Sequence, residues 1–173
     1  MTLAYALVLA ASLFAAITDL RIRRVPNALA VALFVCGLAL NAFSGWHAAA
    51  ADLALAAIVI LAGTFAFSLK LIGGGDVKLL AAAAGTLGYP SGVAFLLYTL
   101  VCGGIFALAF AALRGRLTAT LANVRMMALP VFAGAAPARP QDGLAMPYAV
   151  AIFFGALCTV LVNGFLPHLR LLQ

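Results

Sequence analysis

The chain predicts an all-α, polytopic membrane protein of about six transmembrane helices. Three observations carry that class. Hydrophobic residues make up 67% of the 173 residues and charged residues 8%, against about 45–50% and about 25% in soluble domains. Mean hydropathy is +1.22. The apolar runs are continuous rather than alternating, which is helical and not β-barrel patterning. The length suits about six spans of about 20 residues with short loops, so residues 1–173 read as a single transmembrane domain with both termini outward.

Residues 1–18 form the first span. No positive n-region marks a cleavable signal, so the span is expected to be retained. Asp19-Leu20-Arg21-Ile22-Arg23-Arg24 closes it. Val25-Pro26-Asn27 opens the second helix, with Pro26 suited to its first turn. The second span covers about residues 28–43. Ser44-Gly45-Trp46-His47 reads as a loop, with Trp46 as an interfacial anchor and His47 solvated. The third span runs over about residues 53–69, with Asp52 near its start, where a carboxylate suits the helix dipole, and Lys70 at its end. Gly73-Gly74-Gly75-Asp76-Val77-Lys78 follows. The apolar run from Val77 to Leu87 is too short to cross alone, and is expected to take the glycines into its helix. Residues 88–92 form a turn. The fifth span covers about residues 93–113, with Gly103-Gly104 as a close helix contact. Residues 117–132 suit an amphipathic interfacial helix with Arg125 on its wet side. The sixth span covers about residues 144–166, with Pro147 in its first turn.

Charge orients the chain. Arg21, Arg23, Arg24, Lys70, Lys78, Arg114, Arg116, Arg125 and Arg139 follow the odd-numbered spans, and only Arg170 falls on the other side. By the positive-inside rule those basic ends face the cytoplasm. The net charge of +6 is thus an orientation signal. No basic stripe interleaved with aromatics points to nucleic acid, and none is expected as a partner. The bilayer is.

The chain has four acidic residues, Asp19, Asp52, Asp76 and Asp142, and no glutamate. The topology puts Asp19 and Asp76 on the cytoplasmic side at similar depth, Asp142 in a polar loop of that side, and Asp52 near the outer face. A charged residue at membrane depth is costly and marks a functional site by default. Two neighbouring carboxylates do not readily both ionise. One can then take a proton from water while the other polarises a carbonyl. That chemistry requires neither cofactor nor metal, and neither is expected. His47 and His168 fall on the outer side. Cys36, Cys102 and Cys158 form no CxxC and fit apolar packing. The glycines lack the Lys-Ser/Thr of a phosphate loop. At this point Asp19 could equally pair with Arg21 or Arg23 or cap the next helix, Asp76 could be a helix N-cap, and Lys78 suits a snorkelling interfacial role.

Gly73-Gly74-Gly75-Asp76 resembles the GxGD pattern of intramembrane aspartyl proteases. Its extension through Val77-Lys78-Leu79-Leu80-Ala81 is similar to the type IV prepilin peptidases. Asp19 through Asn27 resembles their first-aspartate motif, and Ala145 to Ile152 their Pro-Tyr segment opening the last span. The resemblance implies that Asp19 and Asp76 are the catalytic pair, with Gly73, Gly75 and Lys78 as supporting motif. It implies cleavage of a prepilin or pseudopilin precursor at the cytoplasmic face of the bacterial inner membrane. The short length resembles members that serve Flp or tight-adherence pili. The cytoplasmic insertion with CxxC pairs, linked in longer relatives to N-methylation, is absent, so protease activity alone is expected. Two other classes fit the aspartates, a small transporter or channel subunit and a non-enzymatic assembly protein. A transporter should show paired broken helices, and only one Gly-interrupted site is present. The oligomeric state is left open.

Overall fold

In a computed structural model, residues 2–43, 45–69, 72–132 and 148–165 are described. They form seven α-helices and no strand. These are α1 (Thr2–Ile22), α2 (Asn27–Ala42), α3 (Trp46–Ser68), α4 (Gly74–Leu87), α5 (Ser91–Leu113), α6 (Leu117–Phe132) and α7 (Tyr148–Val160), the last continued by a π-helical turn, Leu161–Phe165. The all-α class and the order of elements agree with the sequence reading. Lys70, Arg139, Asp142, Pro147, His168 and Arg170 lie outside the described residues.

Among the described residues, three helices are long and apolar enough to cross a membrane, in α1, α3 and α5, and two shorter apolar helices accompany them, Asn27–Ala42 and Tyr148–Asn163. Helix α4 is different. Its 14 residues reach only about 21 Å, short of a hydrocarbon core of about 30 Å. Ten of the 14 are buried. It is the interior rod of the bundle, with α2 and α3 packed along it and α5, α1 and α7 touching it. Helix α7 lies against both α1 and α5. Among the described residues, helix α6 packs mainly on α5, and Arg125 on it is exposed.

Small residues set the spacing around α4. Its run Ala81-Ala82-Ala83-Ala84-Gly85 is buried, and small side chains let backbones approach closely. A Cβ on Gly37 of α2 would collide with Thr86, and one on Gly92 of α5 with the Ala84 carbonyl. One on Gly63 of α3 would come within 2.5 Å of Val77 Cγ1. Side chains then bond across the contacts. Thr86 Oγ1 donates to the Leu33 carbonyl at 3.2 Å, and Asn41 Nδ2 donates to the Gly85 and Thr86 carbonyls. On the other side of the bundle, the Tyr5 and Ser91 hydroxyls meet at 2.8 Å.

Several boundaries differ from the sequence reading. Helix α3 starts at Trp46, not near Leu53, because Ala48 to Ala51 continue the helix back to Gly45, whose φ of 118° breaks it. Trp46 and His47 therefore form the first turn of α3, with their rings 3.5 Å apart, rather than a loop. Asp52 is consequently not a first-turn residue. Its carboxylate instead meets the turn between α4 and α5, near the Tyr89 N–H and the Asn41 amide. Pro26 is the N-cap of α2 rather than a first-turn residue. Of the glycine pair in α5, Gly103 receives the Tyr148 ring, while a Cβ added at Gly104 would find nothing within 4 Å.

Candidate active site

Helix α1 continues past its apolar run to Ile22, which places Asp19 in its last turn. Arg23 then turns the chain with a left-handed φ of 52°, costly for a residue with a Cβ and tolerated where the surroundings hold it. The link Arg23-Arg24-Val25 leads into α2 at Asn27. On the other side, Gly73 is the extended N-cap of α4, with φ −71° and ψ 145°. Asp76 is thus the third residue of the helix, not its cap. Gly75 lies under the Val25 backbone, since a Cβ there would stand 3.3 Å from the Val25 carbonyl oxygen. The glycines therefore start α4 and let the α1–α2 link cross its first turn.

These two segments enclose a cleft of about 340 Å³. Asp19, Arg23, Arg24, Val25 and Asn27 line one wall, and Gly73, Gly74, Gly75 and Asp76 the other. Asp19 and Asp76 are each 9% exposed, so neither is an ordinary surface carboxylate. Asp19 Oδ2 accepts the Ala149 N–H at 3.4 Å. The bond ties α1 to the first turn of α7, where helix N–H groups have no intrahelical partner. It is not the cap of the following helix weighed from sequence. Asp76 faces back toward Gly73, where a Cβ would stand 2.8 Å from Oδ2. Its Oδ1 is buried with no hydrogen-bond partner among the described groups. The two aspartates are close enough to act on each other electrostatically, and Arg23 acts on Asp19.

Lys78 does not line the cleft. Its Nζ donates to Asn27 Oδ1 at 3.2 Å, on the ridge between the cleft and a neighbouring apolar groove. Gly73 and Gly75 do line the cleft. Among the described residues, no three His, Cys, Asp or Glu side chains cluster as a metal site would need. Sequence reasoning missed the first turn of α7 as a neighbour of the aspartates. Tyr148 packs on Gly103 and stands within electrostatic range of Asp76. The only signal for it was the segment around Pro147-Tyr148.

Comparison with known proteins adds one finding. Residues 6–108, more than half of the chain, match the type IV leader peptidase family. The chain belongs to that family. Its members are leader peptidases, so the protein is a membrane peptidase of the prepilin-processing kind. No curated protein and no solved structure matches the chain. The matched stretch contains both aspartates and all of α4. It ends before α7, which supplies the bond to Asp19.

Proposed function

We propose that this protein is an aspartic endopeptidase in which Asp19 and Asp76 form the catalytic pair, cutting the leader from Flp-type prepilins or pseudopilins at the cytoplasmic face of the inner membrane. The single observation that supports this best is the shared cleft. Two of the chain's four carboxylates, from separate helices, line one space, and one oxygen of Asp76 has no partner among the described residues. Arg23 and Arg24 beside them mark the basic, cytoplasmic end.

The chemistry uses a shared proton. The ionised carboxylate accepts a proton from a water, whose oxygen bonds to the scissile carbonyl carbon. The protonated carboxyl donates to the carbonyl oxygen. Collapse of the tetrahedral intermediate breaks the C–N bond, and the proton taken from water passes to the leaving amine. No methyl transfer is part of the reading, because the chain has no cytoplasmic insertion with paired cysteines.

The test is cleavage of a Flp-type prepilin in membranes, followed by gel and by mass spectrometry of the new N-terminus. Asp19→Asn and Asp76→Asn should each lower the rate at least about a hundredfold while the protein stays inserted and folded. Chelator should leave the rate unchanged. A variant that cuts at the normal rate marks its aspartate as structural and removes the aspartic mechanism. A transporter or a scaffold would leave the precursor intact in every case.

A further inference from the structure

The two carboxylates of the cleft are equally exposed, at 9% each, yet their surroundings differ. Each has one main-chain donor. Asp19 Oδ2 accepts the Ala149 N–H, and Asp76 has the Gly73 N–H at the start of its own helix. The remaining neighbours break the symmetry. Arg23 and Arg24 line the wall that Asp19 belongs to, and the Arg23 charge acts on Asp19. Lys78, two residues after Asp76, turns to Asn27 instead. The Asp19 charge bears on Asp76. Asp76 Oδ1 is buried without a hydrogen-bond partner among the described residues. Arg21 on α1 is exposed, and Tyr148 of α7 completes the titratable groups around the pair.

Donors and cations hold a carboxyl ionised, whereas burial without them, or a like charge beside it, holds it protonated. We infer that the proton of the pair sits on Asp76, so that Asp19 is the base and Asp76 the acid, and that the Ala149 N–H and Arg23 are the positioning groups that fix this division. The inference rests on the peptidase reading above. Asp19 takes the proton from water as the water oxygen bonds to the scissile carbonyl carbon. Asp76 gives its proton to the carbonyl oxygen. When the C–N bond breaks, the proton on Asp19 goes to the leaving amine, and Asp76 recovers one from a hydroxyl of the intermediate. Each carboxyl returns to its starting state.

Two measurements test it, one with substrate and one without. The first is the pH–rate profile of prepilin cleavage in proteoliposomes, whose acid limb reports the base and whose alkaline limb reports the acid. Ala149→Pro deletes the N–H within the first turn of α7, where proline is tolerated. It should move the acid limb to higher pH by about one unit and leave the alkaline limb in place. Arg23→Gln should move the same limb by less, because Arg23 is exposed and its charge is screened, and Arg23→Lys should keep the limb where it is. Arg23 lies outside the helices, so this pair tests the same limb if the proline disturbs α7. Movement of the alkaline limb instead would reverse the two roles, and unmoved limbs in both variants would remove Ala149 and Arg23 from the division. The second measurement treats the substrate-free protein in liposomes with a hydrophobic carbodiimide, which adds to a protonated carboxyl and not to a carboxylate, and maps the adduct by mass spectrometry. The adduct should fall on Asp76. An adduct on Asp19, equal labelling of both, or none on Asp76 overturns the assignment. If the wild type cuts no prepilin, the substrate reading falls, and the labelled residue still decides where the proton sits.

Discussion

At Gly73 the backbone is extended, with φ −71° and ψ 145°, a conformation alanine adopts without strain. A Cβ there would nevertheless stand 2.8 Å from Asp76 Oδ2. Gly73→Ala therefore separates carboxylate position from fold stability. It should lower kcat about ten- to a hundredfold, the scale of a displacement near 1 Å, with little change in thermal unfolding in detergent. An unchanged kcat would show that Asp76 can move aside at no cost. Gly75 makes a different demand. Its neighbours are Val25 Cβ at 3.2 Å and the Val25 carbonyl oxygen at 3.3 Å, so a methyl there presses on the chain that carries Arg23 and Arg24 and not on a flexible side-chain end. Asp19 is held by a main-chain donor, the Ala149 N–H, which fixes its direction without neutralising it.

Helix α4 is held by close contacts on several sides, and each is a place where one methyl group matters. Gly63→Ala should destabilise the bundle by about 1–3 kcal/mol, as overpacking does, because Val77 Cγ1 lies 2.5 Å from the added atom. Val77→Ala in the same chain removes that atom, so the double variant should recover most of the loss. Chemical denaturation of the four proteins in detergent checks the coupling. Simple additivity would place the strain elsewhere. The helices were largely legible in the sequence. Continuous apolar runs located α1, α2 and α5, and the short run after the glycines announced α4. The start of α3 was not legible, because Trp46 and His47 read as interfacial loop residues until the alanines after them are seen to extend the helix. The burial of α4 was only partly legible, since Ala-rich composition suits an interior helix and a lipid-facing one alike.

At the scale of the molecule, the carboxylates of the described residues divide by end. Asp76 opens α4, and Asp52 meets the turn that follows it, where a Cβ on Gly88 would stand 2.5 Å from Asp52 Oδ1. Twelve residues of helix, about 18 Å, separate the two levels. Asp52→Asn should therefore lower thermal stability, by about 1–3 kcal/mol if the buried contacts near Tyr89 and Asn41 are lost, while keeping kcat/KM near normal in the folded protein. Asp19→Asn should do the reverse. Unfolding curves and cleavage rates on the same preparations distinguish the ends, and an inactive but stable Asp52→Asn would contradict the division. The sequence placed Asp19 and Asp76 on one side of the membrane by counting charges between spans. That they line one cleft depends on how the α1–α2 link lies across the first turn of α4, and that follows from Gly75 lying under Val25, a packing fact no spacing encodes. The approach of Tyr148 and Ala149 depends on contacts 130 residues apart in the chain, and the Pro-Tyr segment marks a helix start without saying what it meets.

That last contact sets an order of events during synthesis. A ribosome delivers α1 and α4 to the membrane long before α7. Until α7 is inserted, Asp19 lacks its main-chain donor. A nascent chain halted after α6 therefore carries both aspartates without the Ala149 N–H, and the proposed site is assembled only when α7 arrives.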